Sequence, residues 1–134
     1  MHATAVAADG CAVLILGPSG SGKSSLALQL IGLGAQLVSD DQTCLHRRDG
    51  ALWASPPAAL AGRIEARGVG LLVAPHVASA RVVLAVDLSQ PETDRLPPER
   101  TAEHFGVTVP CLRRVDSAHF PAAILLCLKT GRIA

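Results

Sequence analysis

The sequence predicts an α/β fold in which a mixed sheet, including one hairpin region, is flanked by helices and organised around a phosphate-binding loop. Three observations predict it. Residues 17–24 read Gly-Pro-Ser-Gly-Ser-Gly-Lys-Ser, the pattern G-x-x-x-x-G-K-[ST]. Before it lies the apolar run Ala12-Val13-Leu14-Ile15-Leu16, of buried-strand length. After it, Leu26, Ala27, Leu30, Ile31 and Leu33 recur at helical spacing. Strand, glycine loop and helix thus follow in the order that lets backbone N–H groups and a helix N-terminus face a phosphate. Gly17, Pro18, Ser19, Gly20, Ser21, Gly22, Lys23, Ser24 and Ser25 form the candidate nucleotide-binding segment, with Lys23 assigned to the β- and γ-phosphates and the Ser24 hydroxyl to Mg²⁺.

The remaining elements follow along the chain. Gly34 ends the loop helix, and a strand over 35–39 closes in Asp40-Asp41, making a βαβ unit with a parallel crossover. In such sheets ligands sit beyond the carboxyl ends of the strands, so the loop and the two aspartates belong on one edge. Asp49-Gly50 between residues 43–48 and 51–54 signals a hairpin, which Pro56-Pro57 ends. A short helical turn at 58–61 leads into Ile64-Glu65-Ala66-Arg67-Gly68-Val69-Gly70, and a further strand is expected over 81–88. Residues 89–100, with Pro91, Pro97 and Pro98, read as an ordered surface loop. A last strand over 107–112 and a helix over about 120–129 complete the chain. That helix is capped by Asp116 or Ser117, with Pro121 in its first turn and Gly131 beyond its end.

Composition narrows the function classes. At 134 residues the chain is expected to be one domain, 1–134. Twelve basic and eleven acidic residues, interspersed, argue against nucleic acid as a partner, and three aromatic residues (Trp53, Phe105, Phe120) make no stacking platform. The four scattered cysteines, with no C-x-x-C pair, read as buried small hydrophobes in a reducing compartment. No apolar run approaches a membrane span, so no membrane role and a cytoplasmic location are expected. With 49% hydrophobic residues, part of the apolar surface is expected in a subunit interface.

Two acidic signals compete for the chemistry. Asp40 and Asp41 are adjacent, so in an extended strand they point to opposite sides and only one faces a γ-phosphate. Val82-Val83-Leu84-Ala85-Val86-Asp87 has the form of a Walker B strand, whose aspartate positions Mg²⁺ in many P-loop proteins. If Asp87 has that role, the chain is a small-metabolite kinase or a nucleotide switch. A third class is a nucleotide-binding regulatory module without chemistry.

Four segments together resemble the catalytic domain of the HPr kinase/phosphorylase family: His2-Ala3-Thr4, the loop 17–24, Leu37-Val38-Ser39-Asp40-Asp41, and Ile64-Glu65-Ala66-Arg67-Gly68-Val69-Gly70. The resemblance spans roughly residues 1–110. It implies a phosphoenolpyruvate carboxykinase-like P-loop fold and a protein serine kinase that uses ATP and Mg²⁺ to phosphorylate the phosphocarrier protein HPr in the phosphotransferase system. It also implies a homo-oligomer. By the family pattern Asp41 is the acid/base, with Lys23, His2 and Arg95 (rival Arg100) as further catalytic residues. Ser24 and Glu65 then serve the metal, Asp40 is a partner of the metal or of the lysine, and Arg67 pairs with a phosphate or with Asp40. The family's Pro-x-Arg-Pro-Gly-Arg-Asn loop has no counterpart in Leu112-Arg113-Arg114-Val115-Asp116-Ser117. The resemblance is therefore to the short alphaproteobacterial form without a separate N-terminal domain, and kinase rather than phosphorylase activity is the expectation.

Overall fold

The computed structural model describes all residues, Met1–Ala134. Strand β1 (Ala3–Ala8) turns through Asp9-Gly10, both at positive φ, into β2 (Cys11–Leu16), pairing antiparallel from Ala8↔Cys11 to Ala3↔Leu16. The phosphate loop then leads into helix α1 (Lys23–Gly32), and β3 (Gln36–Ser39) follows. Both β2 and β3 run antiparallel to β1, which lies between them, so the expected crossover joins like-directed strands but skips over one. That insertion brings the start of β1 to the edge where β2 and β3 end.

Beyond β2 the sheet continues through β8 (Ala80–Pro91), parallel to β2, then β10 (Val107–Arg114), parallel to β8, and β9 (Thr101–His104), antiparallel to β10. The expected hairpin is present as β4 (Cys44–Arg48) and β5 (Ala51–Ser55), with β5 joined to the start of β8. A 3₁₀ turn at Ala58–Leu60 precedes β6 (Arg63–Ala66) and β7 (Gly70–Val73), which form a separate two-stranded sheet. Helix α2 (Phe120–Thr130) closes the chain with Pro121 in its first turn, and neither Asp116 nor Ser117 caps it by side chain. His119 takes the cap position, and the Phe120 N–H instead reaches the Ser117 carbonyl at 3.1 Å. Residues 89–91, expected in a surface loop, instead extend β8, and the polar segment 101–104 forms a further strand, paired through a Phe105-Gly106 turn.

Both helices cover one sheet face. Leu26, Ala27 and Leu30 of α1 and Phe120, Ile124 and Leu128 of α2 join Val6, Val13, Ile15, Leu37, Leu84 and Val86 in one buried cluster. On the opposite face Ala3, Ala5, Ala7, Ala12, Leu14 and Val82 pack with Leu52 and Ala54 of β5. The alternation along β1 matters for the site: odd residues face the hairpin, whereas Val6, and with it Thr4, face α1. Leu30 is fully buried at the centre of the helical face. Leu30→Ala is expected to lower stability by about 2–5 kcal/mol, read as a fall in the denaturant midpoint at constant slope. No helix is long and apolar enough to cross a membrane.

Candidate active site

The ends of β2 and β3 and the start of β1 meet at one edge, where the phosphate loop, α1, the Asp40-Asp41 exit of β3 and the β6 segment line a cavity of about 700 Å³. The loop forms its inner wall. Gly17 lies at φ 151°, and a Cβ there would come within 2.5 Å of Ser21 Oγ, so the first turn of the loop accepts only glycine. Gly22, left-handed at φ 98°, leaves the N-terminus of α1 with no side-chain cap and no acidic residue in its first turn. Its amides are therefore free to serve an anion.

Lys23 is 5% exposed, and its Nζ donates to the carbonyls of Gly17 (2.9 Å) and Pro18 (3.2 Å). The ammonium is held inside the loop, beside Asp41 Oδ1 at 3.9 Å and His2 Nε2 at 3.2 Å. His2 Nε2 lies 2.8 Å from Asp41 Oδ1. That short contact with a carboxylate assigns the ring proton to Nε2, which then donates to Asp41 rather than accepting from Lys23. A terminal histidine would ordinarily fray, but here its neighbour is tied down. The Met1 amine donates to Thr43 O at 2.8 Å and Thr43 N donates to Met1 O at 2.9 Å.

The two aspartates divide, but by a backbone turn rather than by strand alternation: both follow β3 and Asp41 sits at φ 63°. Asp41 turns to His2 and Lys23. Asp40 turns the other way, where its Oδ1 accepts from Ser24 Oγ (2.6 Å) and Thr4 Oγ1 (3.2 Å) and its Oδ2 from the Glu65 N–H (3.3 Å). Glu65 and Arg67 line the same cavity with Val69. Arg67 lies just beyond β6, in the tight turn between β6 and β7.

Ser24, Asp40 and Glu65 present one hydroxyl and two carboxylates, hard oxygen donors suited to Mg²⁺, which keeps most of its shell for water and substrate phosphate. No group of three His, Cys, Asp or Glu side chains forms a fully protein-made metal cage. A serine hydroxyl on an aspartate beside the glycine loop is the pairing P-loop enzymes use.

Asp87 lies next to the loop, paired with Leu16, but is engaged locally. Its carboxylate accepts from the Ser89 N–H (2.9 Å) and Ser89 Oγ (2.6 Å), and it does not line the cavity. Neither Arg95 nor Arg100 lines it. Arg100 grips Glu92 through Nε and Nη2, each at 3.1 Å, and borders a second cavity of about 400 Å³ near the end of α2. The Arg100 hydrogen bonds hold the Glu92 carboxyl at about 2, below its ordinary 4.5. A depressed folded-state value means that the pair's stabilisation is complete above pH 4.5 and is lost as pH falls toward about 2. Glu92→Gln is expected to flatten that part of the stability-versus-pH curve, measured as denaturant midpoints across the window.

Residue Thr4, fully buried and bonded to both aspartates, had no part in the sequence-based site. The available signal was a single polar residue in the otherwise apolar run Ala3–Ala8.

Comparison with known proteins covers this arrangement. The chain is 40% identical over 72 residues to HPr kinase/phosphorylase of Clostridium botulinum and 42% identical over 73 residues to that of Streptococcus thermophilus. Each alignment takes in 54% of this chain and 24% of the relative, so the chain spans about a quarter of the length of these curated relatives. The solved structure of the Hpr(Ser) kinase/phosphatase from Coxiella burnetii superposes with a TM-score of 0.79 at 30% identity, covering 92% of this chain and 89% of that one. The model of the HPr serine kinase C-terminal domain matches residues 1–113, from the histidine beside Asp41 through the whole of the loop, the aspartate pair and β6. On that match this chain belongs to the HPr serine kinase C-terminal domain family.

Proposed function

We propose that residues 1–134 act as one catalytic domain, an ATP- and Mg²⁺-dependent protein serine kinase whose acceptor is an HPr-type phosphocarrier. One observation carries the reading: Asp41, partly exposed at the cavity, shares contacts with a loop lysine and with His2, while its neighbour Asp40 faces the Ser24 hydroxyl. The division assigns each carboxylate a separate task.

Asp41 is the proton acceptor for the seryl hydroxyl. Its Oδ1 is oriented by His2 Nε2–H, and its 57% exposed side chain lies open to a protein-borne serine. Lys23 and the uncapped first-turn amides of α1 stabilise negative charge on the transferring phosphoryl oxygens. Ser24, Asp40 and Glu65 would hold Mg²⁺, which would supply charge neutralisation to the nucleotide phosphates. The family match supports the choice of acceptor. Arg67, at the cavity wall, serves a phosphate. The reading carries a cytoplasmic location, where ATP and reducing conditions coincide, and a homo-oligomer whose interface draws on exposed apolar residues such as Leu71 and Val73.

A small-metabolite kinase with Asp87 as the metal residue is disfavoured by the Asp87–Ser89 hydrogen bonds. The test is incubation of the purified chain with γ-labelled ATP, Mg²⁺ and HPr. Acid-stable label on an HPr serine is expected. Nucleotide binding without transfer to HPr would contradict the proposal.

A further inference from the structure

The Thr4 side chain is fully inaccessible on the face of β1 that otherwise packs apolar residues against α1. A valine fits such a position without cost, whereas a hydroxyl placed there needs partners. Thr4 has two, and they are the two residues that follow β3: Oγ1 donates to Asp40 Oδ1 at 3.2 Å and accepts from the Asp41 N–H at 3.0 Å. One hydroxyl thus uses its only proton on one aspartate and a lone pair on the other.

The Asp40–Asp41 peptide needs such a hold. Asp41 lies at φ 63°, a left-handed conformation that aspartate adopts more readily than most residues, and the bond to its N–H fixes that turn here. That backbone turn sends the Asp41 carboxylate toward His2 and Lys23 while Asp40 stays on Ser24. Without the Oγ1 acceptor the Asp41 N–H loses its partner, and Asp40 loses one of the two hydroxyls on Oδ1.

We propose that Thr4 is the positioning residue of the acidic pair, its single hydroxyl setting Asp40 on the metal side and Asp41 on the acceptor side of the cavity. The inference rests on the kinase reading above for its activity arm alone.

Thr4→Val keeps the β-branched shape and deletes the hydroxyl; Thr4→Ser keeps the hydroxyl. Amide exchange at Asp41, followed by NMR, is expected to quicken about tenfold in Thr4→Val and to stay near wild type in Thr4→Ser. In the transfer assay Thr4→Val is expected to lose about tenfold in kcat with KM for ATP held within about twofold, and Thr4→Ser to recover most of it. Wild-type exchange at Asp41 in Thr4→Val would overturn the proposal. So would equal kcat losses in both variants, or a loss that tracks a fall in melting temperature. If the wild-type chain transfers no phosphate, the kinase reading falls and the exchange measurement alone decides the role of Thr4.

Discussion

Replacing Lys23 with alanine is expected to lower phosphoryl transfer to HPr about 100- to 1,000-fold, roughly 3–4 kcal/mol of transition-state stabilisation. The size follows from burial: the ammonium is 5% exposed and held in place by the Gly17 and Pro18 carbonyls, so its charge acts where water screens little. Lys23→Arg is not expected to restore the rate. A planar guanidinium cannot donate to two carbonyls six and five residues back while staying beside Asp41 in the same volume. Single-turnover transfer with labelled ATP checks both variants.

The second large effect is expected from Asp41→Asn: a fall of about 10²- to 10⁴-fold in transfer with nucleotide affinity kept within a few fold. Asparagine tolerates the left-handed backbone at φ 63° as well as aspartate does, so the loop and the Asp40–Ser24 contact should stand. His2 Nε2–H still finds an amide oxygen there. What is lost is the group that takes the proton, which separates the chemical step from binding. Titration of a fluorescent ATP analogue alongside the transfer assay makes the distinction.

Much of this site was legible in the chain. The loop, α1 and the aspartates at the end of β3 were readable because glycine pattern, helical period and strand end coincide within about thirty residues. What stayed hidden was β1. Its Ala-Thr-Ala-Val-Ala-Ala run is too small-sided to read as a strand, although Asp9-Gly10 signals the same turn as Asp49-Gly50. Missing β1 hid the reason that His2 is ordered, the skip in the crossover, and Thr4 altogether. Strand β9 escaped because an edge strand of polar residues carries no hydrophobic period. Glu65 and Arg67 carry no local signal of a site; β6 and its turn bring them to the cavity through tertiary packing alone.

The central claim is that cradle and acidic pair serve one terminal phosphate. Solving the structure of the chain with Mg²⁺ and a non-hydrolysable ATP analogue measures this most directly. The account predicts the γ-phosphate beside Lys23, the metal on Ser24 and Asp40, and Asp41 close enough for a seryl oxygen to fit between it and phosphorus, within about 3 Å of each. A γ-phosphate that lies away from Asp41, or a metal held by Asp87, would contradict it.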